Sequence, residues 1–108
     1  MLENREYLLR VREEIENYYN GFEDEEGEER FLSDYLSEQA LDCRFIIESN
    51  FEFRSCQVFI TLGGPTVWID TETRSLELRW GGGSESLYLD SDICDAIDEY
   101  YAEFYNCR

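Results

Sequence analysis

Carboxylates are the side chains whose number and spacing indicate what this chain could bind. Its 108 residues include 26 Asp and Glu against nine basic residues, which are all Arg, and no His, so the formal net charge is −17. Two groups stand out, an acidic linker at residues 23–29 and an acid stripe near the end of the chain. The linker acids are Glu23, Asp24, Glu25, Glu26, Glu28 and Glu29, and the acid stripe is Asp92, Asp95, Glu99 and Glu103. Both groups are suited to contact a basic surface.

Catalytic and metal chemistry find little support in the sequence. Without His, the usual Ser or Cys triads and the zinc hydrolase motifs are excluded. Asp70-Thr71 follows an apolar strand, as the catalytic Asp of aspartic proteases does, but Glu72 stands where that motif has Gly, and a turn-initiating Asp explains the pair. Asp90-Ser91-Asp92 lacks the Gly and the final Glu of a calcium loop, and helix capping explains it. We therefore predict a protein that is not an enzyme, without catalytic residues, metal or cofactor.

The four cysteines and the glycine run are also assigned structural roles. Cys43, Cys56, Cys94 and Cys107 are widely spaced and form no CxxC pair, so we expect reduced thiols that pack as small hydrophobic groups. A zinc site with four thiolates is the alternative. Residues 81–84, Gly-Gly-Gly-Ser, are not followed by the Lys of a phosphate-binding loop and are interpreted as a connector.

The spacing of the acid stripe suggests mimicry of nucleic acid. On a helix with a rise of about 1.5 Å per residue, consecutive stripe acids advance by roughly 4.5 to 6 Å, similar to phosphates along a strand. Such a surface can occupy a basic DNA-binding groove, although an acidic surface that only keeps the protein soluble is an open alternative. The same charge repels nucleic acid and anionic membranes, so we expect a basic protein partner, no direct nucleic-acid binding and no membrane binding.

The helix that carries the acid stripe is predicted from Ser91 to Tyr105, with Asp90 or Ser91 as its N-cap. At about 100° per residue, the stripe lies opposite an apolar set that faces the rest of the protein. That set is Ile93, Ile97, Tyr100 and Phe104, with Ala96 and Tyr101 at its edges.

The stretch from Ser55 to Gly83 is the predicted centre of the fold. Apolar and polar residues alternate in it, which is typical of half-buried strands. With residues 43–48 added, the sequence predicts a four-stranded antiparallel meander of residues 43–48, 51–62, 67–69 and 76–80. Gly81-Gly82-Gly83 is predicted to end this sheet.

Two helices are predicted before the sheet. Residues 3–20 carry one apolar stripe and stop at Asn20-Gly21; the stripe is Leu8, Val11, Ile15, Tyr18 and Phe22. The acidic linker follows as a solvated connector that can also serve as a binding arm. Residues 28–41 then form a second, shorter helix.

The predicted architecture is α+β, in which two N-terminal helices, a four-stranded antiparallel meander and a C-terminal helix pack with the helices on one face of the sheet. The chain is one domain, 1–108, in which a helical part, 1–41, precedes a part with the sheet and the last helix, 42–108. No apolar run approaches the length of a membrane span, and the charged N-terminus lacks the apolar stretch of a signal peptide. We therefore expect a cytoplasmic protein.

The central block carries a resemblance to a known family. The runs GGPTVWIDT at 63–71, LELRW at 76–80 and DICDAIDE at 92–99 resemble small acidic proteins encoded on conjugative elements and prophages of gut Firmicutes. The similarity covers roughly residues 41–107, and the GGP-x-V-W-I-D-T run is its most specific part. Some members look like anti-CRISPR proteins that inhibit the type II RNA-guided nuclease. The resemblance implies a phage or mobile-element protein acting in a bacterial host cell, and it brings no catalytic residues.

Charge and resemblance together predict a stoichiometric nuclease inhibitor. Its acidic linker and acid stripe would occupy the groove in which the nuclease reads the short duplex motif beside its target. An antirestriction protein that mimics DNA is one alternative. A protein-interaction or regulatory module of a mobile element, in which the first helix pairs with a partner helix or with itself, is another. We expect a monomer or a weak dimer.

Overall fold

The computed structural model describes residues 2–107, which form three helices and two antiparallel sheets. The elements are α1 (Leu2–Asn20), β1 (Phe22–Glu23), β2 (Glu29–Arg30), α2 (Leu32–Gln39), β3 (Asp42–Ile47), β4 (Phe53–Thr61), β5 (Thr66–Asp70), β6 (Ser75–Trp80), β7 (Gly83–Tyr88) and α3 (Ser91–Asn106). The α+β class is therefore confirmed. None of the described helices is long and apolar enough to cross a bilayer.

The main sheet has five strands in the order β3-β4-β5-β6-β7, each antiparallel to the next. The prediction of four strands is wrong because Gly81-Gly82-Gly83 does not end the sheet. Trp80 pairs directly with Gly83, and Gly81 adopts φ +55° between them, so the glycines form a tight turn into β7. The alternation continues in β7, where Leu87 is buried and Tyr88 is exposed.

The acidic linker is an ordered hairpin. Phe22 pairs with Arg30 and Glu23 with Glu29, and Gly27 adopts φ +81° at the turn. Because residues 29 and 30 are held in this ladder, α2 begins at Leu32, and the prediction of a helix from residue 28 is wrong. The linker acids are therefore presented from a fixed turn.

One core lies between a single face of the main sheet and all three helices. From α1 it takes Leu8, Val11 and Ile15, as the apolar stripe predicts, but Phe22, the last residue of that predicted stripe, lies in β1 and is 38% exposed. Gly21 ends the helix with its N–H bonded to the Asn17 carbonyl at 3.0 Å. The helix-facing side of the sheet contributes the larger set, which is Cys56, Val58, Val67, Ile69, Leu76, Leu78 and Leu87.

The last helix spans Ser91–Asn106, close to the prediction, but its buried side differs. The side chains it buries are Ile93, Cys94, Ile97, Tyr101 and Tyr105. Tyr100 is partly buried and packs against the core, whereas Phe104 is 56% exposed, so the predicted contact of Phe104 with the sheet is wrong. The reason is tertiary: Tyr101 and Tyr105 pack against the Phe45 ring, and this rotates Phe104 outward.

The other face of the sheet carries two stacked aromatic rings with a guanidinium on each side. The Arg44 guanidinium lies 5.0 Å from the centroid of the Phe59 ring, Phe59 stacks on Trp68, and the Arg79 guanidinium lies 5.8 Å from the Trp68 ring. Phe59 is only 9% exposed as a result. The two arginines thus cover apolar rings that the helices do not reach.

Candidate functional site

The acid stripe is fully presented to solvent. All four of its carboxylates belong to exposed residues, while the opposite side of α3 is anchored in the core. The Asp90 side chain caps the helix by accepting a hydrogen bond from the Asp92 N–H at 2.8 Å. A capped and packed helix holds its charges at a fixed spacing, which a flexible acidic tail would not do.

One stripe member differs from the other three. Asp95 lies 3.3 Å from Arg74 Nη1, and this contact raises the pKa of Arg74. Arg74 also donates to the Ser91 carbonyl at 3.1 Å, so it lies against the first turn of α3. Within residues 2–107, no arginine forms an ion pair with Asp92, Glu99 or Glu103.

An apolar depression lies directly beside the stripe. It measures about 360 Å³, and Glu99 and Glu103 form part of its wall. Two aromatic residues in that wall are well exposed, Tyr19 at 40% and Phe31 at 50%. The remaining lining residues are Leu32, Ser33, Leu36, Ala96 and Tyr100. The arrangement is an apolar floor beside carboxylates, which suits a protein surface that carries both apolar and basic groups.

Asp24 holds the acidic linker in shape. Its Oδ1 accepts the N–H groups of Glu26 and Glu28, both at 2.9 Å, and its Oδ2 lies 3.8 Å from Arg30 Nε. Arg30 Nη2 lies 2.6 Å from Glu38 Oε1, which joins the hairpin to α2 and raises the pKa of Arg30. Asp24 is half-buried, so its carboxylate serves the turn, whereas the other five linker acids are exposed.

The fold brings the two acidic groups to one surface, with Phe31 between them. Phe31 lines the depression beside the stripe, and it also lines a smaller one bordered by Glu23 and Glu29. Asp92 joins the same surface through a further depression that it shares with Tyr19. We call this surface the acidic face: Glu23 and Glu29 of the linker, together with Asp92, Glu99 and Glu103, around Tyr19 and Phe31.

The aromatic centre of the acidic face was missed by sequence reasoning. Phe31 was assigned to the interior of a helix, but it is the N-cap residue of α2 and points outward. Tyr19 offered a usable signal, because it is a large aromatic residue outside the apolar stripe of α1. Phe31 offered none, since its exposure depends on where the hairpin ends.

A polar cluster on the inner side of α3 has a structural role. The Thr71 hydroxyl lies 2.6 Å from Asp98 Oδ1, and the Cys56 N–H donates to Thr71 Oγ1 at 2.9 Å. Burial raises the pKa of Asp98, although the hydrogen bonds that its carboxylate accepts from the Thr71 hydroxyl and the Cys56 thiol oppose the rise. The cluster ties α3 to β4 and to the turn after β5. That turn is started by Asp70, whose Oδ1 accepts the N–H groups of residues 72 and 73.

The cysteines and acids form no metal centre in the described part of the chain, where no three His, Cys, Asp or Glu side chains converge on a point. All four cysteines are free thiols. Cys56 and Cys94 are fully buried, and burial raises the pKa of Cys94 to about 12. These two thiols are core side chains.

Comparison with known proteins yields no relative. None of the known family models matches the sequence, and no curated protein and no solved structure is significantly similar to it.

Proposed function

We propose that the protein is a non-enzymatic inhibitor that binds a basic nucleic-acid groove of a bacterial defence nuclease, with the type II RNA-guided nuclease as its target class. The observation that carries the proposal is the acidic face, in which carboxylates from two distant parts of the chain surround two exposed aromatic side chains and form no ion pair within residues 2–107. The resemblance of residues 63–99 to small acidic proteins of mobile elements supports the choice of target.

The aromatic centre favours a binding surface over a surface that only confers solubility. Stable interfaces combine an apolar centre that loses its water with a polar or charged rim. Tyr19 and Phe31 supply the centre, and the surrounding carboxylates supply the rim. An exposed apolar patch rimmed by polar residues is a common mark of a protein–protein interaction site, and this arrangement supports contact with a partner.

Charge explains how such a partner would be found. A nuclease groove that binds DNA presents arginine and lysine to phosphates, and complementary potentials accelerate encounter with an anionic protein. In the RNA-guided nuclease, arginines read the short duplex motif that licenses target binding. A protein bound there excludes DNA by occupancy, and no bond is made or broken.

The test is a binding assay of the protein against guide-loaded type II nuclease, with and without target DNA, at low and high salt. We expect binding that weakens with salt and that target DNA prevents. Binding at neither salt concentration would refute the proposal for this target. Binding to a restriction enzyme in a parallel assay would indicate instead that the acidic face acts in antirestriction.

The variant pair for this assay is Glu99→Lys with Glu103→Lys, and its matched control is Glu6→Lys with Glu13→Lys. Both pairs reverse two exposed acids and change the net charge equally, but the control acids lie on the outward side of α1. We expect only the α3 pair to lose inhibition. Equal loss in both would mean that net charge, and not the acidic face, is responsible.

A further inference from the structure

The two edge strands of the main sheet, β7 and β3, differ in their contacts with the rest of the chain. At the β7 edge, the Arg12 guanidinium donates to the Tyr88 carbonyl at 3.1 Å, and Arg5 lies 3.5 Å from Glu85. Helix α1 therefore covers the β7 edge. At the opposite edge lies β3, which pairs only with β4 among the described residues. An uncovered edge strand is a site where a further strand can be added.

The hydrogen-bond pattern shows which backbone groups of β3 are directed outward. Cys56 uses both its N–H and its carbonyl on the β5 side, where they bond Thr71. Because directions alternate along a strand, its neighbours Ser55 and Gln57 bond toward β3, where they face Ile46 and Arg44. The N–H and carbonyl groups of Cys43 and Phe45 are consequently directed away from the sheet. The Cys43 N–H donates to the carboxylate of its neighbour, Asp42 Oδ1, at 2.9 Å, a bond that an added strand has to displace.

The side chains of this edge are apolar on one face and charged on the other. On the helix-facing side, Leu41 is 62% exposed and Phe45 37%, beside a depression of about 410 Å³ that Phe104 also lines. On the other side lie Asp42 and Arg44, one acid and one base, with no ion pair between them or to any other described residue. No acid occurs from residue 43 to residue 47.

We propose that two copies of this chain form a dimer by antiparallel pairing of β3 with β3 of the second copy, centred on Cys43. This register places Asp42 opposite Arg44 of the second copy, and Arg44 opposite its Asp42, on the same face of the joined sheet. On the helix-facing side it places Leu41 opposite the second copy's Phe45. A symmetric interface must be complementary to itself, and this register meets that condition for both charge and apolar contact.

Self-complementarity is the reason to choose a second copy as the occupant of this edge. Sliding one β3 strand by one residue along the other would turn its side chains to the wrong faces of the joined sheet. Moving the centre of pairing from Cys43 to either neighbouring residue would no longer place Asp42 opposite Arg44 of the second copy. The net charge of −17 on each copy opposes association, while the edge itself is poor in acid. Salt should therefore strengthen this dimer by screening the repulsion, the reverse of its effect on binding to a basic nuclease.

Sedimentation equilibrium of the full chain, under reducing conditions at low and high salt, tests the proposal. Protein concentration would span about 1 μM to about 1 mM, the range for weak interfaces of this kind. We expect a monomer–dimer equilibrium that shifts toward dimer as salt rises. A monomer at every concentration and salt overturns the proposal, and its failure leaves the nuclease-binding proposal untouched because the acidic face lies elsewhere.

A charge swap tests the register. Arg44→Asp places two like-charged pairs across the interface and should weaken association by about tenfold or more. Adding Asp42→Arg to that variant restores opposite charges and should recover the dimer. The matched control is Arg79→Asp, which makes the same charge change and also removes a guanidinium from an aromatic ring, but on β6, three strands away. A dimer that responds equally to both single variants, or is not recovered by the swap, overturns this register.

Discussion

The acidic linker and the acid stripe carry the same kind of charge but hold it in different ways. The stripe lies on a helix whose other side is buried, so its position is set by the core of the protein. The linker is a hairpin with two short strands, and its shape depends on Asp24 and on the ion pair between Arg30 and Glu38. Each group uses one carboxylate for its own structure, Asp95 in its ion pair with Arg74 and Asp24 in the linker turn, so the difference lies in what fixes the remaining acids: a packed helix for the stripe and a short hairpin for the linker.

This difference indicates which step of binding, association or dissociation, each acidic group affects. Charged side chains on a packed helix lose little conformational entropy when they bind a partner. Those beside an apolar depression are also desolvated when the partner binds. Charges on a peripheral hairpin stay more hydrated and act mainly by attraction over distance. We therefore expect the stripe to govern how long a complex lasts and the linker to govern how fast it forms.

The largest expected effect is that of the stripe. Glu99→Lys with Glu103→Lys should weaken binding to the guide-loaded nuclease by about 100-fold, mainly through faster dissociation, because these acids border the apolar centre. Surface plasmon resonance at a fixed salt concentration measures both rates. If dissociation is unchanged and only association slows, the stripe is not at the centre of the contact.

The linker pair gives the second effect. Glu25→Lys with Glu26→Lys makes the same change in net charge and should weaken binding by about tenfold, mainly through slower association. The effect should fade as salt rises, since exposed charges are screened. A larger loss than that of the stripe pair would reverse the comparison and place the linker at the centre of the interface.

The helical parts of this comparison could be predicted from the sequence. The order of acidic and apolar residues at 91–105 locates the stripe on one side of a helix, and the structure exposes all four of its acids. The prediction of the buried side is wrong at Phe104, because periodicity gives the width of an apolar stripe but not which margin a neighbouring strand will cover. Here Phe45 and Phe53 decide that point by packing against Tyr105.

The hairpins were harder to predict for a different reason. A run of six acids resembles a solvated connector, and two-residue strands are too short to show alternation. Their formation depends on the turn at Gly27 and on Asp24, which bonds the backbone within the turn. Strand β7 is absent from the prediction although its sequence alternates, because three successive glycines predict the end of a sheet, whereas here they form a turn.

The third prediction tests how far the linker depends on Asp24. Asp24→Ala removes an ionised acceptor from the N–H groups of Glu26 and Glu28, so the turn should open more readily, at a cost of about 1 to 2 kcal/mol in local stability. Hydrogen exchange at those two amides should accelerate by about tenfold, while exchange in α3 stays the same. Asp24→Asn keeps an oxygen acceptor and should show a smaller change; equal acceleration in both variants would mean that the charge is what holds the turn.

The smallest expected effect concerns the inner side of α3. Burial raises the pKa of Asp98, so the folded state favours its protonated form, and the stability this provides at low pH is lost as pH rises through the folded-state pKa. Asp98→Asn removes the buried charge and keeps an acceptor for Thr71. It should therefore increase the free energy of unfolding at neutral pH, by less than about 1 kcal/mol because the site is partly exposed, and the gain should shrink toward about pH 4.

Urea unfolding at both pH values measures this effect, and Glu99→Gln is its control, because it removes one negative charge from the exposed side of the same helix. Relief of general repulsion would raise the stability of both variants alike. A gain specific to Asp98→Asn would show that α3 tolerates carboxylates on its outer side and bears a cost for one on its inner side. Destabilisation by Asp98→Asn at neutral pH would instead mean that the bond from Thr71 outweighs burial, and that the inner carboxylate helps to fix the helix that presents the stripe.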